Sequence, residues 1–361
     1  MAEASRGPLT GLKVVEFSGI GPGPHVAMLL ADMGAEVVRI ERQGSQPVNA
    51  VVERARHRAQ VDVKSEPGRA FCLEACRHAD VLVEGFRPGV MERLGLGPEV
   101  LLAANPRLVY ARMTGWGQDG PLAQAAGHDL NYIAVTGALD AIGKAGELPV
   151  PPQNLVGDFG GGSLYCALGI LAALYERERS GKGQVVDAAI VDGVTSLMSF
   201  FLGLPPSAIR TTERGKGLLG GAAHFYRCYT CADGKEISVG AIEPQFYAEL
   251  CERAGAPEEL REGQMNPANW DGHAEGLAAH FATKTQAEWC ELLEGTDACF
   301  APVVPLDEAR GHPHVKAREL YVEHGGRWHT APAPRFGRTP GAIRDGAMDG
   351  EAVVAKWSSG A

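Results

Sequence analysis

Five short apolar runs separated by helical patterns occupy the first 112 residues, and this alternation restricts the fold more than any other feature of the chain. Residues 12–17, 36–40, 61–64, 80–84 and 108–112 read as extended segments. Between them, residues 26–33, 67–78 and 98–104 carry helical rhythm, with Pro67 near a helix start, where its missing N–H costs nothing. Strands alternating with helices at this pace predict an α/β fold: a Rossmann-like parallel sheet with helices on both faces. The pattern continues with a helix over 163–179, a strand over 185–190 and an apolar helix over 194–201.

Beyond this point the rhythm changes. Residues 201–221, rich in proline and glycine, read as a linker, and residues 222–310 as a small α/β domain. That domain opens on a hairpin over 226–241, turned at Asp233-Gly234 as a two-residue turn, and continues with helices over 244–254, 274–283 and 286–294. Residues 311–324 read as a return linker. The tail, 325–361, with Trp328, Pro332 and Pro334, reads as irregular and is expected to complete the large domain of residues 1–200, or to pack on a partner. A chain of 361 residues is long enough for two such domains.

Charge and cysteine narrow the function classes. A net charge of −10 argues against general binding to nucleic acid or to a membrane surface, yet local arginines can still serve a small polyanion. Residues 1–12 lack the apolar core of a signal peptide, and no apolar run approaches bilayer length. The C-terminal residues do not match the peroxisomal Ser-Lys-Leu address, so the cytoplasm is the expected compartment. Eight cysteines in a chain of this size make no disulfide scaffold. Cys228 and Cys231 form one C-x-x-C with no second pair at zinc spacing, and no metal site is expected.

The candidate chemistry lies in residues 127–162. His128 precedes Asp158 by thirty residues, and each is set beside glycine, which leaves room for close approach of a ligand. Pro149, Pro151 and Pro152 forbid one continuous helix, so the two groups must sit on separate elements and can face one carbon from opposite sides. The plainer reading makes Asp129 and Asp158 helix caps. A second candidate is the first βα turn. Gly19 and Gly21 follow a strand, and Glu41 stands where a ribose-binding acid belongs in a dinucleotide fold, but Pro24 occupies the third glycine position. Arg39 and Arg42 beside Glu41 suit a phosphate better than a bare hydroxyl pair.

At this level of detail the chain resembles a known family. Leu12-Lys-Val-Val-Glu-Phe, the run Met-Leu-Leu-Ala-Asp-Met-Gly-Ala-Glu-Val over 28–37, Asp80-Val-Leu-Val-Glu-Gly-Phe-Arg-Pro-Gly-Val, Gly115-Trp-Gly-Gln, Gly160-Gly-Gly and Gly181-Lys-Gly-Gln-Val-Val-Asp match the family III CoA-transferases. Gly127-His-Asp-Leu-Asn-Tyr and Gly240-Ala-Ile-Glu-Pro-Gln-Phe-Tyr are similar to the bacterial α-methylacyl-CoA racemase branch. The resemblance implies a cofactor-independent isomerase of lipid metabolism that interconverts (R)- and (S)-2-methylacyl-CoA thioesters. Its fold would be a large CoA-binding domain plus a small domain in an interlocked homodimer.

By the same resemblance, His128 and Asp158 are the two acid–base residues, and Glu243, arriving from the small domain, orients the histidine. Ile20, Arg42, Val61, Asp62, Val63, Lys64, Gly85, Phe86, Arg87 and Arg93 match positions that hold the acyl-CoA, as do Gly127, Asp129, Leu130, Asn131 and Tyr132. The chemistry further predicts that backbone N–H groups near His128 and Asp129 receive the enolate oxygen. The rival within the family is CoA transfer, with Asp158 as the nucleophile that carries the acyl group. His128 with Glu243 favours the racemase, because transfer needs no second base across the carbon. The family's acyl surface is often rich in methionine. Only eight Met occur here, and Phe200, Phe201 and Leu202 follow Met198, so the residues name no acyl group.

Overall fold

The alternating pattern closes into one six-stranded parallel sheet in the computed structural model, which describes residues 7–205, 211, 213–346 and 349–360. In chain order the elements are β1 (Lys13–Phe17), α1 (Pro22–Asp32), β2 (Glu36–Glu41), β3 (Arg56–Gln60), α2 (Glu66–His78), β4 (Val81–Glu84), α3 (Val90–Arg93) and α4 (Pro98–Ala104). There follow β5 (Val109–Thr114), α5 (Asp129–Val135), α6 (Leu164–Ser180), β6 (Val185–Ala189) and α7 (Ile190–Leu197). The strand order is β3-β2-β1-β4-β5-β6, all parallel. Connections leave β1 and β4 toward opposite sides, so a crevice opens between their C-terminal ends, the place where open α/β sheets bind ligands.

One face of the sheet is apolar. Val15, Val38, Ile40, Leu82 and Tyr110 pack against α2 and α4, and Val353, Val354 and Trp357 join the same core. Those last three belong to a C-terminal helix, Gly350–Ser359, which Asp349 caps by accepting the N–H of Glu351. The tail is therefore not irregular: it holds that helix and the second strand of an antiparallel hairpin, Arg327–Thr330 on Tyr321–His324, whose first strand ends the expected return linker, and it groups with the first unit. Apolar residues at 353, 354 and 357 have helical spacing that the prolines upstream obscure.

The other face carries charge at its β3 edge. Arg39 of β2 stands in register with Glu16 of β1 and donates to it, and Arg56 of β3 donates to the same carboxylate at 2.7 Å. Arg58 clasps Glu41 with two bonds of 2.7 Å, and Arg54 pairs with Asp32. This lattice explains why the third strand is Arg56–Gln60 rather than 61–64. Its arginines are drawn inward by buried carboxylates, so a hydrophobicity pattern cannot find it. Residues 61–64 form the turn into α2 instead, where the Asp62 carboxylate accepts the Lys64 N–H and the Ser65 hydroxyl accepts the Gly68 N–H.

A nine-residue π-helix, Leu155–Ser163, runs directly into α6. The combined stretch, Leu155–Ser180, is long and apolar enough to cross a membrane by length and composition, contrary to the expectation from the sequence, because its glycines continue the helix instead of ending it. Gly157, Gly161, Gly162 and Ser163 are nevertheless buried against neighbouring elements. The apolar helix expected over 194–201 begins at Ile190 and closes at Met198, whose N–H bonds back to Val194 and Thr195.

The second unit comprises residues 137–151 and 199–318. Its longer segment opens with α8 (Ser199–Gly203), and its three-stranded antiparallel sheet is β7 (Tyr226–Thr230), β8 (Glu236–Gly240) and β9 (Phe300–Pro302), with α9 (Pro244–Ala254), α10 (Trp270–Phe281) and α11 (Gln286–Leu293). Phe225, Tyr247, Trp270, Phe281 and Trp289 dominate its core. The Cys231 N–H reaches the Lys235 carbonyl, so three residues, not two, turn the hairpin, with Gly234 at φ 75°. β9 escapes a sequence reading because it is three residues long and ends in proline. Within the expected linker, 206–210 and 212 lie outside the described residues, whereas Leu218 is buried in this unit's core. Residues 137–151, read as part of the large domain, group here, where Asp140 pairs with Arg214 at 3.5 Å.

His224 has 0% exposure in this core, against the rings of Phe225, Tyr247 and His273, and neither ring nitrogen has a hydrogen-bond partner among the described residues. Burial, then the neighbouring His273 and Arg227, lowers its pKa from 6.5 to about 4. The folded state thus holds the neutral ring while the unfolded chain takes up a proton as pH falls through 6.5, so stability is full above that pH and is lost toward pH 4. At pH 5 this amounts to about 2 kcal/mol. Urea unfolding at pH 7.5 and 5 should show that loss, and His224→Phe should reduce it; an equal pH dependence in both proteins would refute the assignment.

Candidate active site

A cavity of about 700 Å³ occupies the crevice between β1 and β4. The loops after β1, β4 and β5 supply Ile20 and Gly21, Gly85 to Arg87, and Gly115 and Trp116, while the start of α5 and the π-helix supply His128 and Asp158. His128 and Asp158 therefore reach one cavity from two elements, as the prolines between them require.

His128 stands at the N-cap of α5 in extended backbone conformation. Its backbone N–H donates to Asn131 Oδ1 at 3.0 Å, and its Nδ1 lies 2.7 Å from the Gly127 carbonyl. A carbonyl oxygen can only accept, so Nδ1 carries a proton, and in the neutral ring Nε2 then keeps the lone pair a base needs. The Tyr132 hydroxyl donates to the same carbonyl, and its ring meets Trp116 edge to face. Because Asn131 occupies the His128 N–H, that group is not open to an oxyanion. Helix geometry leaves the Asp129 and Leu130 N–H groups without intrahelical partners.

Asp158 lies within the π-helix and caps nothing; such wide turns recur at functional sites. Its backbone N–H donates to Asp129 Oδ2 at 2.6 Å, and Asp129, the first residue of α5, is only 9% exposed. The approach excludes a side chain at Gly157 unless Asp129 moves, and is tight at Gly21. A Cβ on Gly157 would stand 2.3 Å from Asp129 Oδ2, and one on Gly21 would stand 3.0 Å from Asp158 Oδ2. Burial raises the Asp158 pKa above the usual carboxylate value and the Asp129 charge raises it further, against a hydrogen bond from Asn154 and the charge of His128. A carboxyl so placed can hold a proton that an exposed aspartate would release.

Of the expected ligand-binding residues, Ile20, Gly85, Phe86, Arg87, Gly127, Asp129 and Tyr132 line the cavity. Arg42, Val61, Asp62, Val63, Lys64, Arg93, Leu130 and Asn131 do not. Arg42 is exposed after β2, Val61 and Val63 are half-buried in the turn before α2, and Arg93 ends α3 on the surface. Leu130 and Asn131 are exposed on α5, with the Asn131 amide turned back to the His128 N–H. Glu243, exposed at the N-cap of α9, belongs to the second unit. Sequence reasoning missed Trp116 and Asn154 as site residues, and marked Gly21 only as part of a dinucleotide fingerprint. The position of Trp116 just past a parallel strand was a usable signal; nothing local marks Asn154.

Comparison with known proteins adds to this geometry. The model of CoA-transferase family III matches residues 9–347. The chain is 47% identical over 333 residues to the mouse protein named alpha-methylacyl-CoA racemase, covering 92% of this chain and 87% of that one. It is 46% identical to the human protein of the same name, covering 87% and 82%. Among solved structures, a CAIB/BAIF family protein from Brucella suis superposes with a TM-score of 0.79 at 25% identity, covering 98% of this chain and all of that one.

The fit around Gly157 leads to a stability test. Gly157→Ala forces the Asp129 carboxylate away and breaks its bond to the Asp158 N–H, which should cost about 1–3 kcal/mol. Gly272→Ala in α10, whose new methyl meets nothing within 4 Å, should be neutral or slightly stabilising. Thermal denaturation of both variants checks this, and an unchanged melting temperature in Gly157→Ala would contradict the packing described.

Proposed function

The chain belongs to CoA-transferase family III, and from that footing we propose that it is an isomerase that interconverts (R)- and (S)-2-methylacyl-CoA thioesters. The single observation that carries this reading is the presence of two acid–base groups, His128 and Asp158, on one cavity from separate elements.

The thioester acidifies its α-carbon, but that proton remains a weaker acid than imidazolium or a carboxylic acid, so the developing enolate must be stabilised. In one direction His128 Nε2 takes the α-proton and the electron pair moves onto the thioester oxygen. Protonated Asp158 then delivers its proton to the other face, leaving a carboxylate and an imidazolium. In the other direction the roles exchange. The oxidation state of the substrate does not change, and no cofactor is called for beyond the CoA that the substrate carries. The raised pKa of Asp158 suits this work, because a general acid is most effective with a pKa near the working pH. The Asp129 N–H is proposed to meet the enolate oxygen, since the His128 N–H is already engaged by Asn131.

Arg87, at the cavity, and Arg42, Lys64 and Arg93, beyond it, are proposed to hold the CoA phosphates, with Val61, Asp62 and Val63 beside the adenosine part. All lie at or beyond strand ends on the sheet's ligand-binding side. Glu243 is proposed to share the His128 Nδ1–H with the Gly127 carbonyl and so reinforce the tautomer, contributed by a second copy of the chain. An exposed apolar stripe on α6, Leu164, Leu168 and Tyr175, supports such pairing. A solution mass of one 38.2 kDa chain would remove that part of the proposal.

Transfer of CoA through an acyl-carrying Asp158 is the alternative. With either pure enantiomer of a 2-methylacyl-CoA and no acceptor acid, the protein should drive both to the same mixture and take up α-deuterium from deuterium oxide. If neither changes until a free carboxylic acid is added, and that acid is then converted to its CoA ester, the isomerase reading is wrong.

A further inference from the structure

The bond between Asp129 and Asp158 reaches further than a helix start requires. An acid at the first position of a helix favours the helix dipole from an exposed position. Asp129 instead is buried and is aimed across to another element, where Oδ2 accepts the Asp158 N–H at 2.6 Å. Gly157 leaves it the room to do so. We infer that Asp129 is a positioning residue for Asp158: its carboxylate fixes the Asp158 backbone, and its negative charge disfavours a second negative charge on Asp158.

This rests on the isomerase reading and deepens it. Two carboxyl groups that share a site resist ionising together, so one of them keeps a proton at a pH where an isolated aspartate would lose it. The groups that face Asp158 are few. His128, Asp129 and Tyr132 come from α5, Asn154 from the start of its own helix, and Gly21 from the loop before α1 brings no charge. His128 and Asn154 favour the charged carboxylate, whereas Asp129 acts with burial against it. Of these groups, Asp129 alone combines a direct bond to the Asp158 backbone with an opposing charge. It does not touch the reacting carbon in this role.

Asp129→Asn separates positioning from charge, because the amide oxygen can still accept the Asp158 N–H while the charge is gone. In α-proton exchange on a 2-methylacyl-CoA, the variant should keep its KM, lose about tenfold in kcat near neutral pH, and show the Asp158 limb of its pH profile moved to lower pH. An unchanged pH profile, whatever the loss of rate, would reduce Asp129 to a structural tie and overturn the inference. If the variant does not fold, carboxyl-labelled aspartate NMR on the unmodified protein decides: Asp158 should titrate above the ordinary carboxylate range and its signal should also report the step at which Asp129 ionises, and the absence of that step would overturn the inference. Titration within that range would overturn the inference. The NMR titration needs no turnover, so a failure of the isomerase reading itself would appear separately, as absent exchange in the unmodified protein.

Discussion

The contact between the buried Asp129 carboxylate and the Asp158 N–H is the constraint on which the site depends. It joins the start of α5 to a π-helix that would otherwise be free to take an ordinary turn, and it sets the two halves of the acid–base pair against one crevice. The requirement then propagates. Gly157 must lack a side chain to admit the carboxylate, and Gly21 takes a left-handed φ of 70° where the first βα loop lies beside Asp158. A wide-turn helix rich in glycine is unfavourable by intrinsic propensity. It persists because burial of Gly161, Gly162 and Ser163 and the continuation into α6 over-determine it.

The sheet beneath the site is held in register by different means on its two faces. On one, apolar side chains of β1, β2 and β4 pack on α2 and the C-terminal helix. On the other, Glu16, Arg39, Arg56 and Glu41 with Arg58 form ion pairs across three strands. Such pairs add little net stability, but a buried charge left without its partner costs several kcal/mol. A shift of β3 by one residue would strand Arg56 and Arg58 on the apolar face, so the lattice penalises the wrong register strongly. The correct register carries the first βα loop to the mouth of the crevice.

Much of this could be read from the residues. Apart from β3, the alternation of strands and longer helices through β5 followed from hydrophobic rhythm, and the prolines at 149, 151 and 152 foretold that His128 and Asp158 stand on separate elements. Features governed by pairing rather than pattern could not be read. β3 was invisible because its inward residues are arginines satisfied by partners as much as forty residues away. The C-terminal helix was hidden behind a proline-rich approach, and β9 was too short to show a period. At the site, the motifs drew attention to His128 and Asp158, yet the turn of the Asp129 side chain toward Asp158 depends on a contact across twenty-nine residues that no local spacing reveals.

The central claim is that two bases, one on each face of the α-carbon, divide the proton transfer between them. It is tested most directly by following α-deuterium uptake separately from each enantiomer in His128→Ala and Asp158→Asn. With one base removed and the other intact, each variant should exchange the α-proton of one enantiomer without inverting it, and the two variants should choose opposite enantiomers. If both variants exchange the same enantiomer, or if either variant still inverts its substrate at the unmodified rate, the two-base account is contradicted.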